Sequence, residues 1–160
     1  MAAYNRWMNN SLFSICAKIP DDLRKKDTGA SYTSIHGTLN HLILADILWL
    51  GRFENDPKTF PSLDYVLTES FEDLRTEREK TDSHISSWAE FEANRPEIEL
   101  DELVRFHSMS LNKEISIQRR ISIIHFFNHQ THHRGQLTTL LSQAGHDFGP
   151  VDLIWLPQQT

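Results

Sequence analysis

Four stretches of the chain repeat apolar residues at steps near three and four, the spacing that lines one face of a helix. Tyr4, Trp7, Leu12, Ile15 and Ile19 mark the first, from about residue 2 to Ala17, which must stop before Pro20. The second runs from about Ser34 to Phe53 through Ile35, Leu39, Leu42, Ile43, Ile47, Leu48, Trp49 and Leu50. It is apolar around most of its circumference and is therefore expected to be central, with Thr33 or Ser34 capping its first turn. The third, from about Ser70 to Phe91, spaces Phe71, Leu74, Ile85 and Trp88 among many charges and reads as amphipathic and peripheral. The fourth extends from about Arg120 to Ala144, with Gly145 placed to close it.

The connections differ in length, and this shapes the expected topology. Pro20 to Ser31 is polar and reads as a simple connection. Glu54 to Leu67, with Asp56-Pro57 and Phe60-Pro61, is a linker of about fourteen residues, long enough to traverse a bundle, so its flanking helices need not be antiparallel neighbours. After Asn94-Arg95-Pro96, the alternating segments Leu103 to Phe106 and Glu114 to Ile117, around Asn112-Lys113, predict a small hairpin. The expectation is an all-α fold: a four-helix bundle with a long crossover after the second helix and a small β-hairpin before the fourth. Its 160 residues fit one domain. The apolar tail Gly149 to Pro157 is expected to pack back onto the bundle.

The fourth helix breaks its own stripe. Between the apolar runs Ile121 to Phe127 and Leu137 to Ala144 stand nine polar or glycine residues, Asn128-His129-Gln130-Thr131-His132-His133-Arg134-Gly135-Gln136. Counted along one face the stripe reads Phe126, His129, His133, Leu137, Leu140, Ala144, so two imidazoles stand where a bundle helix ordinarily carries Leu or Ile. Residues at i and i+4 lie one turn apart, close enough to converge on one cation about 2 Å from each nitrogen. If Gly135 instead ended the helix, the histidines would form an exposed turn; the renewed run Leu137, Leu140, Leu141 argues for continuation. His125 is about 12 Å along the axis from His133, too far to share an ion with it. His132 can replace His133 only by rotating the site away from the Leu137 and Leu140 face.

A third ligand must come from another segment, and His41, between Leu39 and Leu42, is the best candidate. His36, in the first turn of its helix, reads as a surface residue. Asp46 is badly placed to share an ion with His41; it reads as an acceptor orienting another histidine or as a carboxylate reaching solvent. Arg134 reads as a surface residue and Gln136 as a group able to orient a ligand; neither enters the catalytic set.

Composition removes several classes. A net charge of −6 with scattered Lys and Arg argues against nucleic-acid binding, and the clusters Arg24-Lys25-Lys26 and Arg119-Arg120 read as solvated helix ends. No apolar run approaches the ~20 residues needed to cross a bilayer, and the first residues lack the charged-then-apolar order of a secretory signal. A cytoplasmic setting is expected. Cys16 is the one cysteine and reads as a small core residue.

Three segments, Tyr4-Asn5-Arg6-Trp7-Met8-Asn9, Leu39-Asn40-His41-Leu42-Ile43-Leu44-Ala45-Asp46 and Asn128 to Gln136, resemble the DinB family of DinB/YfiT-like proteins in residue type, order and spacing. The resemblance covers essentially the whole chain, and His132-His133-Arg134-Gly135-Gln136 is its most specific element. It implies a four-helix bundle with a long crossover, holding a divalent metal by His41, His129 and His133. It implies metal-dependent chemistry, with thiol S-transfer to a small electrophile as the leading expectation; a metal-dependent hydrolase or a non-catalytic metal-binding stress-response bundle are the alternatives. Zinc is the first expectation for three nitrogens with an open position, and nickel fits the same donors. The expected partners are a small-molecule substrate, a low-molecular-weight thiol and a second copy in a homodimer, without nucleic acid or membrane.

Overall fold

The computed structural model describes residues 1–156. Its long helices are α1 (Ala2–Cys16), α3 (Ile35–Phe53), α4 (Phe71–Ala93) and α5 (Arg119–Gln143), with a short α2 (Asp21–Lys25) inside the first connection. The polar composition of Pro20 to Ser31 predicts only a connection there, so α2 is an addition. Ser34 is the residue that caps α3, its hydroxyl accepting from the Gly37 amide at 3.0 Å. At the end of α5, Gly145 adopts a left-handed φ of 81°, and His146 N–H returns to the Leu141 carbonyl at 2.9 Å.

Contacts between side chains fix the helix directions. Asp46 meets Arg78 and Phe53 stacks on Trp88, so α3 and α4 run parallel. The chain must therefore travel the length of the bundle between Phe53 and Phe71, which is what the long crossover does. His41 lies against His133, and Trp49 against His125, so α3 and α5 are antiparallel. Asn9 bonds Asp82 and Phe13 stacks on Phe71, which makes α1 antiparallel to α4.

β1 (Leu103–Ser108) pairs antiparallel with β2 (Lys113–Gln118), Leu103 opposite Gln118 and Ser108 opposite Lys113. Lys113 belongs to the strand, and Asn112, at φ 49°, takes the left-handed turn position. Phe106 turns inward against Trp49.

The core has two apolar clusters. One gathers Met8, Leu12, Phe13, Leu39, Ile43, Leu74, Leu137 and Leu141; the other gathers Trp49, Phe53, Ile85, Trp88 and Phe126. Cys16 is wholly buried in the first, and burial pushes its thiol up to about 12, as expected of a core residue.

A layer of polar side chains lies between the clusters. Arg78 donates to Asp46 at 2.7 Å and forms an ion pair with Asp82 at 3.0 Å, Asn9 donates to Asp82 at 2.9 Å, Gln130 donates to Asp46, and Arg134 donates to Asn5. All are at most 3% exposed. Four helices are thus tied together by two arginines and two aspartates whose charges cancel, the condition under which buried charge is tolerable. Asn5 and Asn9 of α1 belong to this layer, whereas Asn10 is exposed.

Several sequence expectations are corrected by this packing. Arg134 is a buried member of the polar layer, not a surface residue. Arg24 and Arg119 are not solvated ends: Arg24 donates to the Cys16 carbonyl at 3.0 Å, and Arg119 forms a two-pronged pair with Glu92, both contacts at 2.6 Å. Ala144 is exposed, so the apolar face of α5 ends at Leu141. Tail residues Phe148, Val151 and Leu156 do pack on the bundle, and Tyr4 Oη donates to the Val151 carbonyl at 2.5 Å. Leu153, Ile154 and Trp155 stay exposed, and Pro157 lies outside the described residues. Among the described residues, no helix is long and apolar enough to cross a membrane.

Candidate metal centre

His41 lies in the middle of α3, and His129 and His133 lie one turn apart on the facing side of α5. Their ring centroids are 4.5 Å apart for His41 and His133, 5.4 Å for His41 and His129, and 4.3 Å for His129 and His133. One nitrogen from each ring lies within 4.8 Å of the other two, so the three can hold a metal ion. The Nε2 atoms of His129 and His133 are 3.1 Å apart. Two nitrogens bound to one tetrahedral cation at about 2 Å would be about 3.3 Å apart, so this pair already has nearly the required spacing.

Hydrogen bonds decide which nitrogen His41 and His133 present. His41 Nδ1 lies 2.8 Å from the Leu63 carbonyl oxygen, which can only accept, so Nδ1 carries the hydrogen and Nε2 carries the lone pair. That Nε2 is buried and lacks a hydrogen-bond partner among the described residues, a costly arrangement for a lone polar atom. His133 Nδ1 donates to Gln136 Oε1 at 2.7 Å, which again leaves Nε2 toward the other rings. Burial keeps the rings uncharged. It pushes His41 down to about 4 and His129 down to about 3, with His133 and His41 adding to the shift at His129. His133 is lowered by burial as well, against the pull of Gln136. Neutral imidazoles with converging lone pairs are the protonation state a metal requires.

Residues that carry no obvious signal in the sequence build the surroundings. The Tyr32 ring stacks on His41 with centroids 3.6 Å apart and meets His133 edge-on at 5.4 Å. It gets there because the 30–33 turn, with Thr33 at φ 62°, presses its backbone onto the first turn of α3. A Cβ at Gly37 would stand 2.0 Å from the Tyr32 carbonyl oxygen, so only glycine permits that approach. Asn40 secures the crossover: its Oδ1 accepts from the Leu67 and Thr68 amides at 2.8 and 3.2 Å, while Nδ2 reaches the His36 carbonyl at 3.0 Å. His36 is 3% exposed and donates to the Thr68 carbonyl at 2.9 Å, so it clamps the crossover and is not a surface residue. Together these contacts position the Leu63 carbonyl on His41.

Asp46 does not orient a histidine, nor does it reach solvent; its carboxylate is spent on Arg78 and Gln130. Burial holds its carboxyl up at about 6, with Arg78 pulling against the shift. His132 is exposed and outside the converging set. His125 continues the row one turn before His129, with ring centroids 5.6 Å apart. A cavity of about 390 Å³ opens against His41 and His129, walled by Tyr32, Leu63, Trp49 and Phe106 and reaching His125.

The chain is similar to described proteins in sequence and in fold. A "Protein DinB" of Bacillus subtilis (strain 168) is 28% identical over 159 residues, covering 93% of this chain and 87% of that protein. The crystal structure of a DinB-like protein from Bacillus cereus ATCC 10987 superposes with a TM-score of 0.62 at 18% identity, covering 91% of each chain, a likeness of fold. The sequence model of the DinB family matches residues 1–160, the full span over which the helices, the crossover and the three converging histidines are laid out. This chain belongs to the DinB family.

Proposed function

We propose that this protein is a divalent-metal-dependent enzyme that joins a low-molecular-weight thiol to a small electrophilic molecule, with His41, His129 and His133 as the protein ligands of the metal. One observation carries the reading: three neutral imidazole nitrogens converge beside a cavity, and the buried Nε2 of His41 has no other partner among the described residues. The donor set suits a borderline cation, zinc first and nickel second. A cation held by three protein nitrogens retains an open position and makes a thiol or water placed there more acidic.

The chain's own residues supply the rest. The Leu63 carbonyl and Gln136 fix the tautomers and orientations of His41 and His133, and Tyr32 covers one face of His41. The apolar walls limit water around the reacting atoms. In the reaction the thiol sulfur bonds to an electrophilic carbon, the leaving group departs with its electron pair, and the thiol proton passes to solvent. The reading carries a cytoplasmic setting, where such thiols are kept reduced.

The test is a panel of thiols (glutathione, bacillithiol, mycothiol and cysteine) with chlorodinitrobenzene as a chromogenic acceptor, run on zinc-loaded, nickel-loaded and chelator-stripped protein. At least one thiol should give conjugation that disappears with the metal. Metal-dependent ester hydrolysis without thiol dependence would replace transfer by hydrolysis, and no metal-dependent turnover of either kind would contradict the enzyme reading.

A further inference from the structure

Eleven residues beyond His41 on α3, Arg52 stands on the same face, reached through Ala45 and Leu48 by steps of four, three and four. Its guanidinium lies 3.9 Å from the centre of the Phe106 ring and 4.5 Å from that of Trp49, in the corner between the two. Among the described residues it has neither a carboxylate partner nor a hydrogen-bond acceptor, and it is half-buried. Aromatic contact holds a guanidinium but leaves its in-plane donors unused. Every other substantially buried arginine in the described chain is engaged: Arg24, Arg78, Arg95, Arg119 and Arg134 all donate to oxygen.

Arg52 also lines two cavities at once. One is the 390 Å³ space against His41 and His129; the other, of about 380 Å³, shares Leu48, Phe106 and Met109 with it and adds Lys58 and Arg105. Among the described residues no aspartate or glutamate lines either cavity, although the chain as a whole carries a net charge of −6. Burial alone shifts the Arg52 pKa, down to about 10, which agrees with the lack of a compensating acid nearby.

We propose that Arg52 is the anchor for an anionic group, a carboxylate or a similar oxyanion, on the small molecule that this cleft takes up. Eleven residues span about 16 Å of helix axis, and a long side chain leaning back toward the helix N-terminus shortens that by several ångströms. The molecule therefore carries its anion roughly 10 Å from the atom that sits at the histidines. Arg52 is a specificity-determining residue rather than a catalytic one. The proposal depends on the metal reading only for where the opposite end of that molecule lies.

The test begins with metal-free protein, so that it does not share the fate of the metal reading. Phenylbutyrate and the uncharged phenylbutanol are titrated calorimetrically into wild type, Arg52→Gln and Arg52→Lys. Wild type should bind the acid at least tenfold more tightly than the alcohol. Arg52→Gln should remove that preference while leaving the alcohol's affinity within twofold, and Arg52→Lys should keep part of it. Cobalt-loaded protein titrated with mercaptohexanoate and mercaptohexanol then separates the sources: a preference for the mercapto acid puts the anion on the thiol, and a preference confined to phenylbutyrate puts it on the acceptor. Equal wild-type affinity for acid and alcohol, no saturable binding of the acid, or a preference that survives in Arg52→Gln overturns the proposal. Should Arg52→Gln fail to fold, Arg52→Met takes its place with the same outcomes, which keeps Arg52 distinguished from Lys58 and Arg105.

Discussion

His41 is held neutral by its surroundings, and this makes the metal-free protein sensitive to acid. Its ring titrates near 6.5 when unfolded and at about 4 when folded, so the unfolded chain takes up a proton first as pH falls. The stability associated with the neutral ring is complete above pH 6.5 and is lost as pH falls from there toward 4. Urea unfolding in the presence of chelator should show wild type losing more stability between pH 7 and pH 5 than His41→Asn, and equal losses would contradict the burial argument. Gly37 supplies a second test, because an added methyl meets backbone rather than a movable side chain. Gly37→Ala should cost about 1–3 kcal/mol in unfolding experiments and weaken metal binding by displacing Tyr32. The histidine trio was legible in the sequence because imidazoles interrupting an apolar helical stripe conflict with burial unless something pairs with them. Tyr32 was not, since its place depends on how the 30–33 turn folds back onto the first turn of α3 at Gly37, which no periodicity records. Arg52 carried no pattern either: one arginine near a helix end looks the same whether it faces solvent or a cavity.

The crossover between α3 and α4 is the element on which the centre depends most. Its length alone signalled a traverse, and the parallel pairing of α3 and α4 bears that out. What it does once there was hidden, because its working group is a backbone carbonyl, and every residue has one. Asn40 and His36 determine which carbonyl faces His41. Asn40→Ala removes the acceptor for two crossover amides, and should destabilise the fold by about 1–3 kcal/mol. It should also lower metal affinity about tenfold by loosening Leu63, as loss of an orienting partner typically does. Chelator competition measures the second effect separately from the first. The hairpin was legible from alternation, whereas α2 was too short and too polar to leave a periodic trace.

Across the bundle, the polar layer and the metal centre are neighbouring solutions to one problem, burial of groups that water would otherwise satisfy. The layer solves it internally. Arg78→Met leaves Asp46 and Asp82 without their shared cation and should cost about 3–5 kcal/mol, read from denaturant unfolding. Arg134, Arg24 and Arg119 were not legible as buried, because charge in one dimension suggests solvent and only packing reveals an internal partner. The histidine centre differs in that its nitrogens converge on one another and can hold a cation between them. Elemental analysis of purified wild type beside His41→Ala and His129→Ala tests this most directly. One divalent cation per chain in wild type, and far less than one in each variant, is the expected result. Stoichiometric metal retained by either variant would mean that the two helices do not share an ion.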